Sequence, residues 1–260
     1  SPAQVPGAQR RISSVPGGDV IMDMRLVYFC IYIAEGITAW SYFSGLYKRR
    51  YSLWISVLAH ILGYGIAFLV FNFAYVWVNT LMFTLINFAL LYRLHSCSWK
   101  SGLFHAGLLT CFSIGLEFVI VLILGSSLGN YDHYQTNAST LMILAVCSKL
   151  LYFLATKLCL LIAKKSNPGQ GDVGAVSLFL SFFSLATICV MVVMFYTGMA
   201  VHLPLHIENL MLISSLILLF ANILLFAGYQ YSQRVSQQYL ALQMEKQKDE
   251  AKETYFRVLE

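Results

Sequence analysis

Seven apolar runs, each of at least 20 residues, divide this 260-residue sequence. A helix of about 20 apolar residues is long enough to cross the hydrocarbon core of a bilayer. Backbone polar groups find no water in lipid, so such segments are expected to be helical. The runs cover residues 24–46, 52–71, 73–94, 103–125, 139–163, 174–198 and 207–229. The sequence therefore predicts an all-α membrane protein, a seven-transmembrane helix bundle in a lipid bilayer.

The composition agrees with this interpretation, because 58% of the residues are hydrophobic and only 11% are charged. Soluble domains carry about 25% charged residues, which form the polar shell around their core. This composition excludes a soluble enzyme, a disordered chain and a small disulfide scaffold. The formal net charge of +5 is attributed to loops that orient the chain in the membrane, and no nucleic-acid partner is predicted.

Basic and non-basic connections alternate along the chain. Lys or Arg follow the first, third, fifth and seventh runs, whereas the second, fourth and sixth runs are followed by none. The basic residues of these connections are Lys48, Arg49, Arg50, Arg93, Lys100, Lys164, Lys165 and Arg234. By the positive-inside rule, the N-terminus is expected outside and the C-terminus in the cytoplasm, which requires an odd number of spans.

Three regions are expected: a disordered N-terminal tail at 1–22, a transmembrane domain at 23–229 and a cytoplasmic linker helix at 230–260. The last region contains neither Pro nor Gly and is rich in helix formers, so the seventh span is predicted to continue into it as one helix. Charged side chains interrupt its heptad seam, and only a weak coiled coil is predicted. The apolar seam positions are Val235, Tyr239, Leu242 and Phe256.

Ionisable side chains inside the spans are candidate functional residues, because charge is costly in a bilayer. Glu35 lies in the first run, Glu117 in the fourth and Lys149 in the fifth. The fourth and fifth spans are antiparallel neighbours, so Glu117 and Lys149 reach similar depth and are predicted to form an ion pair. The pair would tether two helices or take part in signalling. His60 and Asn79 are expected to join helices by hydrogen bonds or, alternatively, to bind a ligand.

Polar residues on the predicted outer side are candidate ligand contacts. One group lies in the largest outer loop and the other at the start of the seventh run. The alternatives are a solvated loop for the first group and, for Glu208, a helix-capping role. The candidates are Tyr131, Asp132, His133, His202, His206, Glu208 and Asn209.

No catalytic constellation is present in the sequence. It contains no HExxH, no GxSxG and no Walker A motif. The six cysteines form no CxxC pair and do not cluster with histidines at metal-ligand spacing. No catalytic residue and no metal site are therefore predicted.

Two segments are informative beside the pattern of spans: the first span with the connection after it, IYIAEGITAWSYFSGLYKRR at 31–50, and the end of the linker helix, EKQKDEAKETYFRVLE at 245–260. Across residues 22–260 the chain resembles the N-terminal sensor region of bacterial GHKL-type histidine kinases, in the style of the agr-type quorum-sensing receptor kinases of Firmicutes. The resemblance implies a piece that stops before the phosphoacceptor histidine and the ATP-binding domain. This fragment would then have no enzyme activity and no cofactor, while the parent protein would use ATP and Mg.

The resemblance also implies a function and partners. The chain would be a multi-pass sensor in the bacterial cell membrane and would form a homodimer. It would detect an extracellular or membrane-borne signal, such as a peptide, and reach a response regulator through the missing kinase domain. The alternative from another class is a small transporter or channel, in which Glu35, Glu117 and Lys149 line a polar path.

Overall fold

The computed structural model describes residues 17–71, 76–128, 138–164, 174–200 and 204–259. Within these ranges the chain forms seven helices, each with a stretch long and apolar enough to span a membrane. They are α1 (Gly17–Leu46), α2 (Leu53–Phe71), α3 (Val76–Leu94), α4 (Trp99–Leu128), α5 (Ala138–Lys164), α6 (Gly174–Ala200) and α7 (Leu205–Leu259). The predicted all-α seven-helix bundle is confirmed, and the chain is a multi-pass membrane protein.

The helices differ from the predicted runs mainly at their ends. α1 begins at Gly17, six residues before the expected start of the transmembrane domain at residue 23. α7 is a single helix of 55 residues, so the expected continuation of the seventh span into the linker is confirmed. Residues 1–16 of the predicted tail and the turn predicted at Asn72 lie outside the described residues.

Five helices close a ring. α1 packs against α2, α2 against α3, α3 against α4 and α4 against α5, and α5 packs back against α1. α6 and α7 pack against α4 outside this ring and also against each other. α4 is therefore the central helix. Within the described residues 72% of its span is buried, against 39% or less for each of the other spans.

Close approach to α4 depends on small side chains. A Cβ atom added at Gly115 would lie 2.7 Å from the Leu219 side chain of α7 and 3.0 Å from Met191 of α6. Small residues at such positions let helix backbones approach closely in membranes, where van der Waals packing drives association. Gly115 thus allows α6 and α7 to pack on the same turn of α4.

Backbone hydrogen bonds join the α1–α2 connection to the α3–α4 connection. The Arg50 N–H donates to the Leu94 carbonyl at 2.8 Å, and the Ser96 N–H donates to the Lys48 carbonyl at 2.9 Å. Between these bonds Arg49 and His95 form an antiparallel bridge. Both connections therefore lie on the same side of the bundle, with a fixed relative position.

His95 is fully buried beneath this bridge. Burial is the main cause that lowers the pKa of its imidazole to about 4. The nearby His60, Arg49 and Arg50 contribute to this shift, and the Leu90 carbonyl opposes it. A histidine in an unfolded chain has a pKa near 6.5, so the unfolded state takes up the proton first as the pH falls.

The stability of the bundle should therefore decrease as the pH falls from 6.5 to about 4. The part due to His95 is full above pH 6.5 and amounts to about 2–3 kcal/mol. Unfolding in mixed micelles should show a steeper loss for the wild type than for His95→Gln. Parallel pH profiles of the two proteins would contradict the burial of a neutral His95.

Candidate functional site

Lys149 of α5 lies between two carboxylates. Its Nζ is 2.8 Å from Glu117 Oε2 of α4 and 2.7 Å from Glu35 Oε1 of α1. The predicted Glu117–Lys149 ion pair is confirmed. Glu35 is a second partner that sequence reasoning did not pair with Lys149. The sequence signal that could have suggested this pair is the similar depth of the two residues in the membrane. Glu35 lies 11 residues into the first run and Lys149 lies 10 residues into the fifth.

Ser113 completes this group, which we call the Lys149 cluster (Glu35, Ser113, Glu117 and Lys149). The Ser113 hydroxyl donates to Glu35 Oε1 at 2.6 Å, and Lys149 Nζ donates to Ser113 Oγ at 3.3 Å. Ser113 and Glu117 are four residues apart on α4 and share one face of the helix. One lysine thus joins three helices, and a serine fixes the orientation of the buried carboxylate.

Burial differs sharply within the cluster. The side chains of Glu35 and Lys149 are 6% and 9% exposed, whereas that of Glu117 is 47% exposed. Burial of a charge is costly unless an opposite charge and hydrogen bonds compensate it. Glu35 and Lys149 compensate each other in the interior, and Glu117 adds a second carboxylate, which gives the cluster a formal charge of −1. Glu117 is the one charged member of the cluster whose side chain is about half-exposed.

Hydrogen bonds between helices surround the cluster. The Tyr32 hydroxyl of α1 donates to Asn79 Oδ1 of α3 at 2.9 Å. The Tyr64 hydroxyl of α2 donates to Asn87 Oδ1 of α3, also at 2.9 Å. The expected role of Asn79 as a contact between helices is confirmed.

His60 differs from the prediction. Its Nδ1 bonds the Ser56 carbonyl, four residues earlier in the same helix, at 2.8 Å. Its ring lies against Phe43 of α1, with centroids 6.3 Å apart. His60 therefore contacts α1 through its ring, and the expected hydrogen bond to another helix is not among those of the described residues. A polar side chain in a helix can form a hydrogen bond with the backbone carbonyl one turn earlier and then needs no partner on another helix for that atom.

The candidate ligand contacts are only partly described. Tyr131, Asp132, His133 and His202 lie outside the described residues. The other candidates, His206, Glu208 and Asn209, lie in the first turn of α7, where Glu208 stands at the positive end of the helix dipole. Their contact with a ligand stays a prediction.

α1 and α4 are also joined at their other ends. Tyr42 and His105 share a hydrogen bond of 2.9 Å, and Tyr47 and Ser101 share one of 2.5 Å. With Glu35 and Ser113 they form three successive pairs between α1, with the residue after it, and the antiparallel α4. The pairs are spaced by seven and five residues on the first side and by eight and four on α4. These pairs were not predicted from the sequence, because neutral Tyr and Ser side chains carry no charge that would mark them as partners.

The last of these pairs extends to α7. Ser101 Oγ is hydrogen-bonded to the Tyr229 hydroxyl at 2.7 Å. Gln233 Nε2 donates to the same Tyr229 oxygen at 2.6 Å. We call Tyr47, Ser101, Tyr229 and Gln233 the exit network, because they hold α7 where it leaves the bundle.

The predicted linker seam is exposed on the single chain. Val235, Tyr239 and Leu242 are exposed, and the side chain of Phe256 lies outside the described residues. Ion pairs between Lys246 and Glu250 and between Asp249 and Lys252 follow along the same helix. Exposed pairs of this kind add only a few tenths of a kcal/mol, about 0.3–0.5 each.

No known protein family, curated protein or solved structure matches this chain. Among the described residues no group of three or more His, Cys, Asp or Glu side chains is arranged to hold a metal ion. The fold and the site thus define the class, a seven-helix membrane protein with a buried ion-pair cluster and a long terminal helix.

Removal of the central cation should destabilise the bundle most. Lys149→Met leaves Glu35 buried without a cation and should cost about 3–5 kcal/mol. Glu117→Gln removes a half-exposed partner and should cost about 1 kcal/mol or less. The free energies of unfolding in mixed micelles should be non-additive in the double variant, because both changes remove the same ion pair.

Lys157→Met is the matched control on α5. Lys157 Nζ donates to Ser41 Oγ of α1 at 2.8 Å and has no carboxylate partner among the described residues. Its loss should cost less than that of Lys149. Equal losses for the two lysines, or additive losses in the Glu117 cycle, would contradict the cluster.

Proposed function

We propose that this chain is the membrane sensor domain of a bacterial two-component histidine kinase. In this proposal the N-terminus lies outside the cell and α7 carries the signal to a kinase in the cytoplasm. The observation that supports it most is the continuity of α7. This helix packs against α4, α5 and α6 within the bundle, and continues without interruption to Leu259.

The exit network supplies a physical connection for such a signal. Tyr229 lies on α7 at the end of the packed part. Its hydroxyl is bonded to Ser101 of α4, which is bonded in turn to Tyr47, the residue directly after α1. A movement of α1 against α4 therefore has to break these bonds or move α7 as well. Packed helices with two discrete arrangements transmit signals in this way.

The signal is proposed to be an extracellular or membrane-borne molecule, such as a peptide. A ligand shifts an equilibrium only by its difference in affinity for the two states. Glu117 offers such a difference, because its half-exposed carboxylate also bonds Lys149. A ligand that took Glu117 away from Lys149 would leave the lysine on Glu35 alone and change the contact of α4 with α5.

A homodimer is part of the proposal. The seam formed by Val235, Tyr239 and Leu242 is exposed on the single chain. A second copy would bury it in a coiled coil, and the charged positions that follow would keep the coil weak enough to change register.

A transporter or channel is the second candidate. Polar side chains cross the interior of the five-helix ring from Tyr32 and Asn79 to Tyr42 and His105. The Tyr152 hydroxyl within this interior is fully buried and has no hydrogen-bond partner among the described residues. A polar path favours transport, whereas the long exposed part of α7 favours signalling.

The full-length product of the gene decides between the two candidates. With ATP and Mg²⁺ in nanodiscs it should phosphorylate itself on a histidine, giving a label that is stable to base and lost in acid. Residues 1–260 alone should stay unlabelled, because no histidine follows His206. A stop codon after residue 260, an unrelated following domain or the absence of a histidine label would overturn the proposal.

The exit network should control the rate of that labelling. Tyr229→Phe removes the hydroxyl shared by Ser101 and Gln233, and should change the rate of self-phosphorylation several-fold while costing about 1 kcal/mol of stability. Tyr231→Phe, at an exposed position two residues later, is the control and should change neither. Equal rates for the wild type and Tyr229→Phe would exclude transmission through these bonds.

A further inference from the structure

Five basic side chains lie on or next to the two connections that the backbone bridge joins. Three belong to the α1–α2 connection, and the other two lie in the last turn of α3 and the first turn of α4. Arg50 and Ser96 donate hydrogen bonds across from one connection to the other, and Arg49 pairs with His95. The bridge fixes the spacing of the charges instead of leaving them on two independent loops. We call this surface the basic platform, and it consists of Lys48, Arg49, Arg50, Arg93 and Lys100.

No carboxylate among the described residues pairs with the platform. No Asp or Glu occurs between Gly36 and Leu116, which includes both connections and all of α2 and α3. Within the described part of the chain, the salt bridges involve Lys149, Lys246 and Lys252 and none of the five platform residues. Four of the five side chains are exposed and that of Lys100 is half-buried. Within the part of the chain that the structure describes, the five positive charges of the platform thus have no carboxylate partner and are available to an anion from outside the chain.

Exposed aromatic side chains lie close to the platform residues in the chain. Tyr51, Trp54 and Trp99 are exposed beside it, Trp54 by 81%. Lys100 Nζ lies 5.9 Å from the centre of the Trp99 ring. Tyr and Trp prefer the headgroup region of a bilayer, where the ring is apolar at one side and hydrated at the other. In a bilayer these aromatic residues would hold the adjacent basic groups at the depth of the lipid phosphates.

The lipid-facing surface of α2 begins directly next to the basic platform. Leu53, Ile55 and Leu58 are exposed apolar residues in its first two turns. If the anion bound at the platform carries acyl chains, these chains can therefore lie along the apolar surface of α2. A phospholipid uses both surfaces at once, with its phosphate at the platform and its acyl chains along α2, whereas a soluble anion uses the platform alone.

We propose that the basic platform binds the phosphate headgroups of acidic phospholipids, such as phosphatidylglycerol. Arg49 and Arg50 supply planar guanidinium groups that can bond phosphate oxygens in pairs, and the lysines add point charges. Clusters of four to eight basic residues beside a transmembrane helix bind anionic lipids in this way. The inference is independent of the kinase proposal, because it concerns the bundle in either function.

The test measures binding of tail-labelled fluorescent phosphatidylglycerol to residues 1–260 in micelles of a neutral detergent. Arg49→Gln/Arg50→Gln removes two platform charges and should weaken binding about thirty-fold, since each charge contributes about five-fold. Lys246→Gln/Lys252→Gln removes the same charge from the exposed end of α7 and should stay within about two-fold of the wild type. Circular dichroism checks that each variant is folded.

Competition separates a lipid site from a site for free phosphate. Unlabelled phosphatidylglycerol should displace the probe, whereas phosphatidylcholine and inorganic phosphate at equal concentrations should not. Equal weakening by the two double variants, displacement by inorganic phosphate as strong as by the lipid, or no binding would overturn the proposal. If Arg49→Gln/Arg50→Gln does not fold, Lys48→Gln/Arg93→Gln tests the same surface and should also weaken binding at least ten-fold.

Discussion

Lys149 carries an ammonium group in a span where lipid and apolar side chains offer no solvation, and its side chain is only 9% exposed. Such a group is stable only when carboxylates and hydrogen bonds surround it. Glu35 and Glu117 come from two further helices, so this requirement fixes the relative positions of α1, α4 and α5. In a membrane, where apolar burial does not drive helix association, polar contacts of this kind specify which helices meet.

α4 extends this constraint to the rest of the molecule. It supplies Ser113 and Glu117 to the cluster and, three turns away, Ser101 to the exit network. It also receives α6 and α7 on its outer face, where Gly115 allows close contact. The polar centre of the ring and the position of α7 therefore depend on one helix, which gives the proposed sensor a short path from the Lys149 cluster to the linker.

Spacing, charge and periodicity predicted the spans, the continuation of α7 and the Glu117–Lys149 pair, because each depends on residues close in sequence or in adjacent antiparallel helices. They did not predict that Glu35 is also a partner of Lys149, since nothing local shows that α5 returns to α1. The hydroxyl pairs of Tyr47 and Tyr229 were missed for a related reason. Neutral polar side chains are tolerated in many positions, and their partners are set only by tertiary packing.

Amide hydrogen exchange of α7 in nanodiscs tests most directly whether a change in the Lys149 cluster alters the local stability of α7. The account predicts that Lys149→Met speeds the exchange of amides around Tyr229 and Gln233, well away from the substitution. Lys157→Met on the same helix should leave these amides unchanged. Faster exchange confined to α1 and α5, with α7 as in the wild type, would contradict the account.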